Sequence, residues 1–181
     1  MYFSQLYYKK IIQYDLLNKF SFINQKKIPK FKKITLNFGY KKSNFKQLIS
    51  GLLALEFISF KRSELTKSTQ INIVLKIKKG TPVGCKVVLR KNFMYLFYLK
   101  LITSIFFKTK LSQEFVLRKK NKAINSISFK IENPLLFLEL ENQYQFFKNL
   151  PPLNITITTN TTSHNELFFL LKSFKLPCVV R

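Results

Sequence analysis

The most constraining stretch of this chain is Gly80-Thr81-Pro82-Val83-Gly84-Cys85-Lys86-Val87-Val88-Leu89-Arg90. A tight Gly/Pro connection feeds a run in which Cys85, Val87 and Leu89 alternate with Lys86, Val88 and Arg90. That is the two-residue period of a strand, whose successive side chains point to opposite faces. One face can enter a core. The other offers an ammonium and a fork-shaped guanidinium to an anion. The plain alternative is an amphipathic strand whose charged face is merely solvated.

Other segments supply the rest of an α+β chain. Residues 4–20 read as a first helix and Ser21 to Pro29 as a corner. Ile34, Leu36 and Phe38 alternate with Lys33, Thr35 and Asn37, a half-buried strand ended by Gly39. Phe45, Leu48, Ile49, Leu52, Leu55 and Ile58 recur at three- and four-residue steps, predicting a helix that buries this stripe. Ile71, Ile73, Leu75 and Ile77 alternate with Asn72, Val74, Lys76 and Lys78. The period predicts a strand over Leu65–Lys79, paired with Cys85–Arg90 through a connection at Gly80–Gly84. A third helix is expected over Asn92–Phe107, then a loop or arm over Lys108–Lys122 with the basic cluster Arg118-Lys119-Lys120. Short strands are expected at Ile127–Ile131 and Leu135–Leu140, the second putting Glu139 and Glu141 on one face. Leu153, Ile155 and Ile157 predict a last strand, and Ser163-x-x-Glu166 a capping box opening a helix with Leu167, Leu170, Leu171 and Phe174 on one face. Strands joined by short connections, with helices grouped between them, indicate an α+β chain with a largely antiparallel sheet. No repeat and no linker divides residues 1–181, which read as one domain, long enough for a real core.

Charge narrows the partner. The net charge is +24, from 32 basic against 8 acidic residues. Such a chain repels itself until a polyanion neutralises it. Only four of the basic residues are Arg, beside 20 Phe and no Trp. That bias fits an AT-rich gene and accounts for some of the lysines, but not for the scarcity of Asp and Glu. An organelle-encoded protein is therefore expected, mitochondrial first, with a plastid or an AT-rich bacterium as alternatives. Tyr, Phe and Gln near the start, with domain-like sequence by Tyr8, give no sign of a cleavable targeting peptide.

A membrane span is the main competing explanation for Asn92–Phe107, sixteen residues carrying one charge, Lys100. A span needs ~20 mostly apolar residues, and a central Lys costs roughly 2.5–3.5 kcal/mol on insertion scales. The run is short and its charge is central, so a buried helix of a soluble domain is expected. Catalysis and cofactors find no support. The one histidine, His164, sits in a helix cap, the one aspartate is Asp15, and no phosphate loop, dinucleotide fingerprint or metal-ligand spacing occurs. Cys85 reads as a small core residue and Cys178 as inert. RNA binding has better support, because A-form RNA is read by shape, with Lys, Arg and small polar side chains on phosphates and hydroxyls. Lys33, Thr35 and Asn37 on one strand, with Lys86 and Arg90 on another, offer such a face. A solvated outer face is again the alternative.

The block Gly80-Thr81-Pro82-Val83-Gly84-Cys85-Lys86-Val87-Val88-Leu89-Arg90 resembles the central signature of the large-subunit ribosomal protein L-five family. Further blocks resemble it in the right order. These are Tyr8-Lys9-Lys10 to Phe20, then Ile28-Pro29 and Lys33 to Gly39, Leu53 to Thr69 with Thr66-Lys67, Met94-Tyr95 with Leu101-Ile102-Thr103, and Leu153 to Thr159 with Leu170-Leu171 and Phe174. Residues 108–133 are divergent. The resemblance implies a single sheet with helices packed on one side and a protruding loop or hairpin, in a structural protein that holds 5S rRNA against large-subunit rRNA in the central protuberance, with no cofactor, small-molecule substrate or membrane. Its partners would include neighbouring large-subunit proteins and a small-subunit head protein in an intersubunit bridge.

By the same resemblance, 5S rRNA contact falls to Asn37 and Arg90. Lys61 stands where the family has a Gln, and Val88 where it has a Thr. Recognition should then be more electrostatic. The family's long loop reaches P-site tRNA. Here Lys67, Ser68, Thr69, Gln70, Lys76 and Lys78 would face it, although Thr69 and Gln70 replace charges and Val74-Leu75 replaces a Gly-Phe pair. The alternatives are a non-ribosomal maturation or splicing factor, and a peripheral protein using its lysines on anionic lipid.

Overall fold

Five strands form one sheet in the computed structural model, which describes residues 3–22, 24–40, 44–106, 115–117, 125–176 and 178–180. The helices are α1 (Phe3–Tyr7), α2 (Gln13–Lys19), α3 (Phe45–Ser59), α4 (Lys91–Lys100), α5 (Leu138–Glu141), α6 (Tyr144–Phe147) and α7 (His164–Ser173). A π-helical turn, Tyr8–Ile12, joins α1 to α2, and another, Leu101–Phe106, extends α4. The strands are β1 (Phe31–Gly39), β2 (Glu64–Lys67), β3 (Pro82–Leu89), β4 (Phe115–Leu117), β5 (Ser126–Ile131), β6 (Leu153–Thr159) and β7 (Cys178–Val180). The sheet order is β2-β3-β1-β6-β5. Its antiparallel sense shows in hydrogen bonds at strand ends: Tyr40 N–H to Val83 O at 2.9 Å, Asn160 N–H to Lys30 O at 3.2 Å, and Thr159 N–H to Asn125 O at 2.7 Å. β4 and β7 pair separately, in parallel. Antiparallel sheet plus helices is the α+β architecture expected from the alternation of Ile34–Phe38, Cys85–Leu89 and Leu153–Ile157.

The chain divides into two compact units. The first comprises Met1–Ile34, Arg90–Phe129 and Thr156–Arg181. Its centre is aromatic: the Phe31 and Phe174 rings stack 4.4 Å apart, and the Tyr98 hydroxyl donates to the Phe174 carbonyl at 2.7 Å. Tyr8 donates to Pro29 O at 2.9 Å, and burial pushes its phenol up to about 12. Ile12 and Leu16 are buried, as are Leu167, Leu170 and Leu171 of α7. The cap of α7 differs from the expected box by one residue. Ser163 Oγ accepts from Glu166 N–H at 3.3 Å, but the Glu166 carboxylate accepts from Thr162 N–H at 3.0 Å rather than from Ser163. His164 is exposed in the first turn. The expected arm at 108–122 lies outside the described residues except for 115–117, which are strand rather than loop. No described helix is long and apolar enough to cross a membrane.

The second unit comprises Thr35–Leu89 and Lys130–Ile155. Leu36 and Phe38 of β1 and Cys85, Val87 and Leu89 of β3 are buried, as the alternation predicts. Cys85 is a buried core thiol, and burial pushes it up to about 11. Cys178 lies in β7, where side chains are not described. Gly84 is required by its surroundings: a Cβ there would run into the Phe38 carbonyl oxygen, with the Thr66 hydroxyl 2.8 Å away.

Three expectations fail here. The predicted strand over Leu65–Lys79 shrinks to β2, which pairs with β3 from Glu64 against Lys86 to Lys67 against Pro82, with a slip after Thr66. Beyond Pro82, which has no N–H to donate, the partner ends. Gly80, at φ +86, turns the chain, so the connection is the long loop Ser68–Thr81 rather than Gly80–Gly84. Leu135–Leu140 is not a strand. Asn133 accepts from Leu135 N–H at 3.0 Å and Pro134 opens a 3₁₀ turn followed by α5, so the residue order Asn-Pro starts a helix. Glu139 and Glu141 therefore do not share a strand face. Finally, α3 buries Leu48, Gly51, Ala54, Leu55 and Ile58, whereas Phe45 and Ile49 of the expected stripe are exposed.

Candidate nucleic-acid interface

Strand alternation leaves Thr35 and Asn37 of β1 and Lys86 of β3 half-buried on the side away from Leu36 and Cys85. All three belong to the second unit. Lys86 faces Glu64 across the β2–β3 ladder at 3.6 Å. With the two side chains 43% and 72% accessible, solvent screens this pair, which is worth about 0–1 kcal/mol. Lys61 precedes β2, and its ammonium donates to the Val88 carbonyl at 2.8 Å. The backbone oxygen left without a ladder partner past Glu64 is thereby satisfied, and two ammonium protons remain. Lys33 and Arg90 belong to the first unit. Lys33 is half-buried in β1, while Arg90 is exposed, with extended backbone (φ −137°, ψ 161°) immediately before α4.

The loop Ser68–Thr81 stitches itself together. Ser68 N–H donates to Thr81 O at 2.9 Å, and Gly80 N–H to Ser68 O at 2.9 Å. Asn72 and Ile77 exchange bonds of 3.0 and 2.9 Å, and the Asn72 side chain accepts from Leu75 N–H at 3.1 Å. Lys67, Lys76 and Lys78 are exposed. So is the apolar tip, with Ile73 86% and Val74 91% accessible.

Asn37 and the base of the loop converge on one cleft, whose lining does not include Thr35, Lys61, Lys76, Lys78 or Lys86. Asn37, Gly39, Tyr40 and Val83 form one wall, and Thr66 to Asn72 with Ile77 the other, around about 480 Å³. The fold thus brings Asn37 together with Lys67, Ser68, Thr69 and Gln70, residues distant in sequence that the family resemblance assigns to two different RNAs. Tyr40 escapes sequence reasoning. Its hydroxyl donates to Gln47 O at 2.8 Å, and burial, with Cys85 nearby, holds its phenol well above the usual range. Its position directly after Asn37-Phe38-Gly39, at a strand end, is the one signal that could have found it. The cleft is polar, mostly lined by amide, hydroxyl and ammonium groups. It suits directed bonds to hydroxyls and phosphates.

Comparison with known proteins agrees in one direction. The family model for the C-terminus of the ribosomal L-five family matches residues 82–178. Large ribosomal subunit protein uL5m of Reclinomonas americana is 35% identical over 173 residues, covering 94% of each chain. Large ribosomal subunit protein uL5 of Wigglesworthia glossinidia brevipalpis is 34% identical over 177 residues, 96% of this chain and 98% of its own. That of Blochmanniella floridana is 32% identical, covering 94% and 90%.

Proposed function

Because the chain belongs to the ribosomal L-five family, we propose that it is a structural, non-enzymatic constituent of a large ribosomal subunit, clamping 5S rRNA against large-subunit rRNA in the central protuberance. We assign RNA contact to Thr35, Asn37, Lys61 and Lys86 in one unit and to Lys33 and Arg90 in the other. The loop residues Lys67, Ser68, Thr69, Gln70, Lys76 and Lys78 approach P-site tRNA. Neighbouring large-subunit proteins and a small-subunit head protein complete the surroundings. Residues 1–181 act as one functional domain, in a mitochondrial ribosome. The observation that carries this reading is the cleft in which Asn37 meets Lys67–Gln70. A polar cleft at the base of a cationic loop suits a folded RNA, and the net charge of +24 supplies the attraction.

The test is a tagged copy of the chain expressed in its own cells, followed by a high-salt wash, sedimentation and sequencing of the retained RNA. The expected result is co-sedimentation with the large subunit of purified mitochondria, with 5S and large-subunit rRNA protected. Release by the wash, with precursor or intron RNA recovered instead, would establish a maturation factor and overturn the proposal.

A further inference from the structure

The outer side of α3 carries a second apolar stripe, Phe45, Ile49, Leu53 and Phe57, in steps of four, and all four are exposed. The helix has thus two apolar faces, of which the sheet side covers only one. Steps of four wind slowly round a helix and make the kind of seam a second helix packs against. Beside this stripe, α6 turns Phe147 inward and Phe146 outward. The Phe57 and Phe147 rings meet edge to face at 6.0 Å, whereas Phe45 and Phe146 are 79% and 75% exposed.

Between the two helices lies a groove of about 570 Å³, floored by Ile49, Leu53, Phe146 and Phe147. Lys46 and Lys148 stand at its edges, and none of its described lining residues is Asp or Glu. An apolar floor between cationic edges selects a particular occupant. Of the floor residues only Phe146 offers an open ring, since Phe147 is buried and Ile49 and Leu53 are aliphatic. Successive bases therefore find no row of rings to stack on, and the floor suits aliphatic side chains better than RNA. A second copy of this chain would bring another +24 against the first. We infer that this groove docks an amphipathic helix of another protein, its apolar seam flanked by Asp or Glu that meet Lys46 and Lys148. The surface is separate from the residues assigned to RNA, and the inference holds whichever RNA they bind.

The experiment uses the full chain carrying p-benzoylphenylalanine at Phe45 or at Phe146, irradiated in cells, with the crosslinked peptide sequenced. The expected product is a segment of a different protein with apolar residues at i, i+3 or i+4 spacing and flanking carboxylates. Ile49→Glu with Leu53→Glu should lower the yield roughly tenfold or more, the size of losing a central interface contact. RNA affinity should not change, and circular dichroism checks the fold. Lys46→Glu with Lys148→Glu should lower the yield as well, while the paired Arg variants keep it. Crosslinks to RNA or to this same chain, a captured segment lacking carboxylates, no crosslink at either position, or a yield indifferent to both pairs of Glu variants would each overturn the inference.

Discussion

The Lys61 ammonium donates a 2.8 Å hydrogen bond to the carbonyl oxygen of Val88. The bond ties together the two positions, Lys61 and Val88, where the family resemblance implies a Gln and a Thr. The link serves the sheet and still leaves ammonium protons for phosphate. With ~6 phosphates contacted, RNA affinity should fall with salt on a log–log slope near −4 to −5, and Lys61→Gln should flatten that slope by roughly 0.7–0.9. A titration series across salt concentrations checks both values. An unchanged slope would mean that Lys61 acts on Val88 alone.

Replacing Thr69–Lys79 with a short Gly/Ser turn should leave the unit folded. The loop's inner bonds are made within itself, and its tip is solvent-exposed. Thermal unfolding of the isolated protein should shift little, while tRNA protection in large-subunit footprinting weakens. Unfolding on deletion would show the loop to be core.

Arg90→Ala should weaken RNA binding more than Lys91→Ala, although each removes one charge. Arg90 is exposed on extended backbone just past β3. A guanidinium making two directed bonds is worth about 1.5–3 kcal/mol, against a few tenths for a screened surface charge. Lys91 sits at φ +50, a strain that Ala shares, so folding is compared by circular dichroism first. Filter binding at fixed salt decides. Arg90→Lys is expected to restore only part of the loss.

Gly84→Ala should destabilise the protein by about 1–3 kcal/mol, because the added methyl group has to displace backbone at Phe38, not a flexible side chain. Urea denaturation measures it. A variant as stable as the parent would show that β1 and β3 can move apart freely at this point.

Stability should decline in alkali. Burial raises the Cys85 thiol from 9.0 to about 11 and the Tyr8 phenol from 10.0 to about 12. Both groups ionise more easily in the unfolded chain, so their contribution is complete below pH ~9 and is lost as pH rises through ~9–12. Cys85→Ala and Tyr8→Phe should each flatten part of that fall in a pH series of denaturant midpoints. Alkylation of Cys85 at pH 8 should be slow until denaturant is added.

Local periodicity determined β1, β3, β5 and β6 and all the long helices, because apolar alternation at Ile34–Phe38 or Leu153–Ile157 leaves a chain one economical way to bury those residues. Composition, at a net charge of +24, determined the basic character that points to RNA. Tertiary structure decided what periodicity could not. Residues 71–77 alternate like a strand, yet a strand needs a partner, and the partner ends at Pro82. The apolar positions of α3 wrap more than one face of the helix, so only the sheet beneath could choose Leu48, Ala54, Leu55 and Ile58 over Phe45 and Ile49. The cleft joining Asn37 to Lys67–Gln70 depends on β2, β3 and β1 lying side by side, a pairing set by non-local hydrogen bonds that no local pattern encodes.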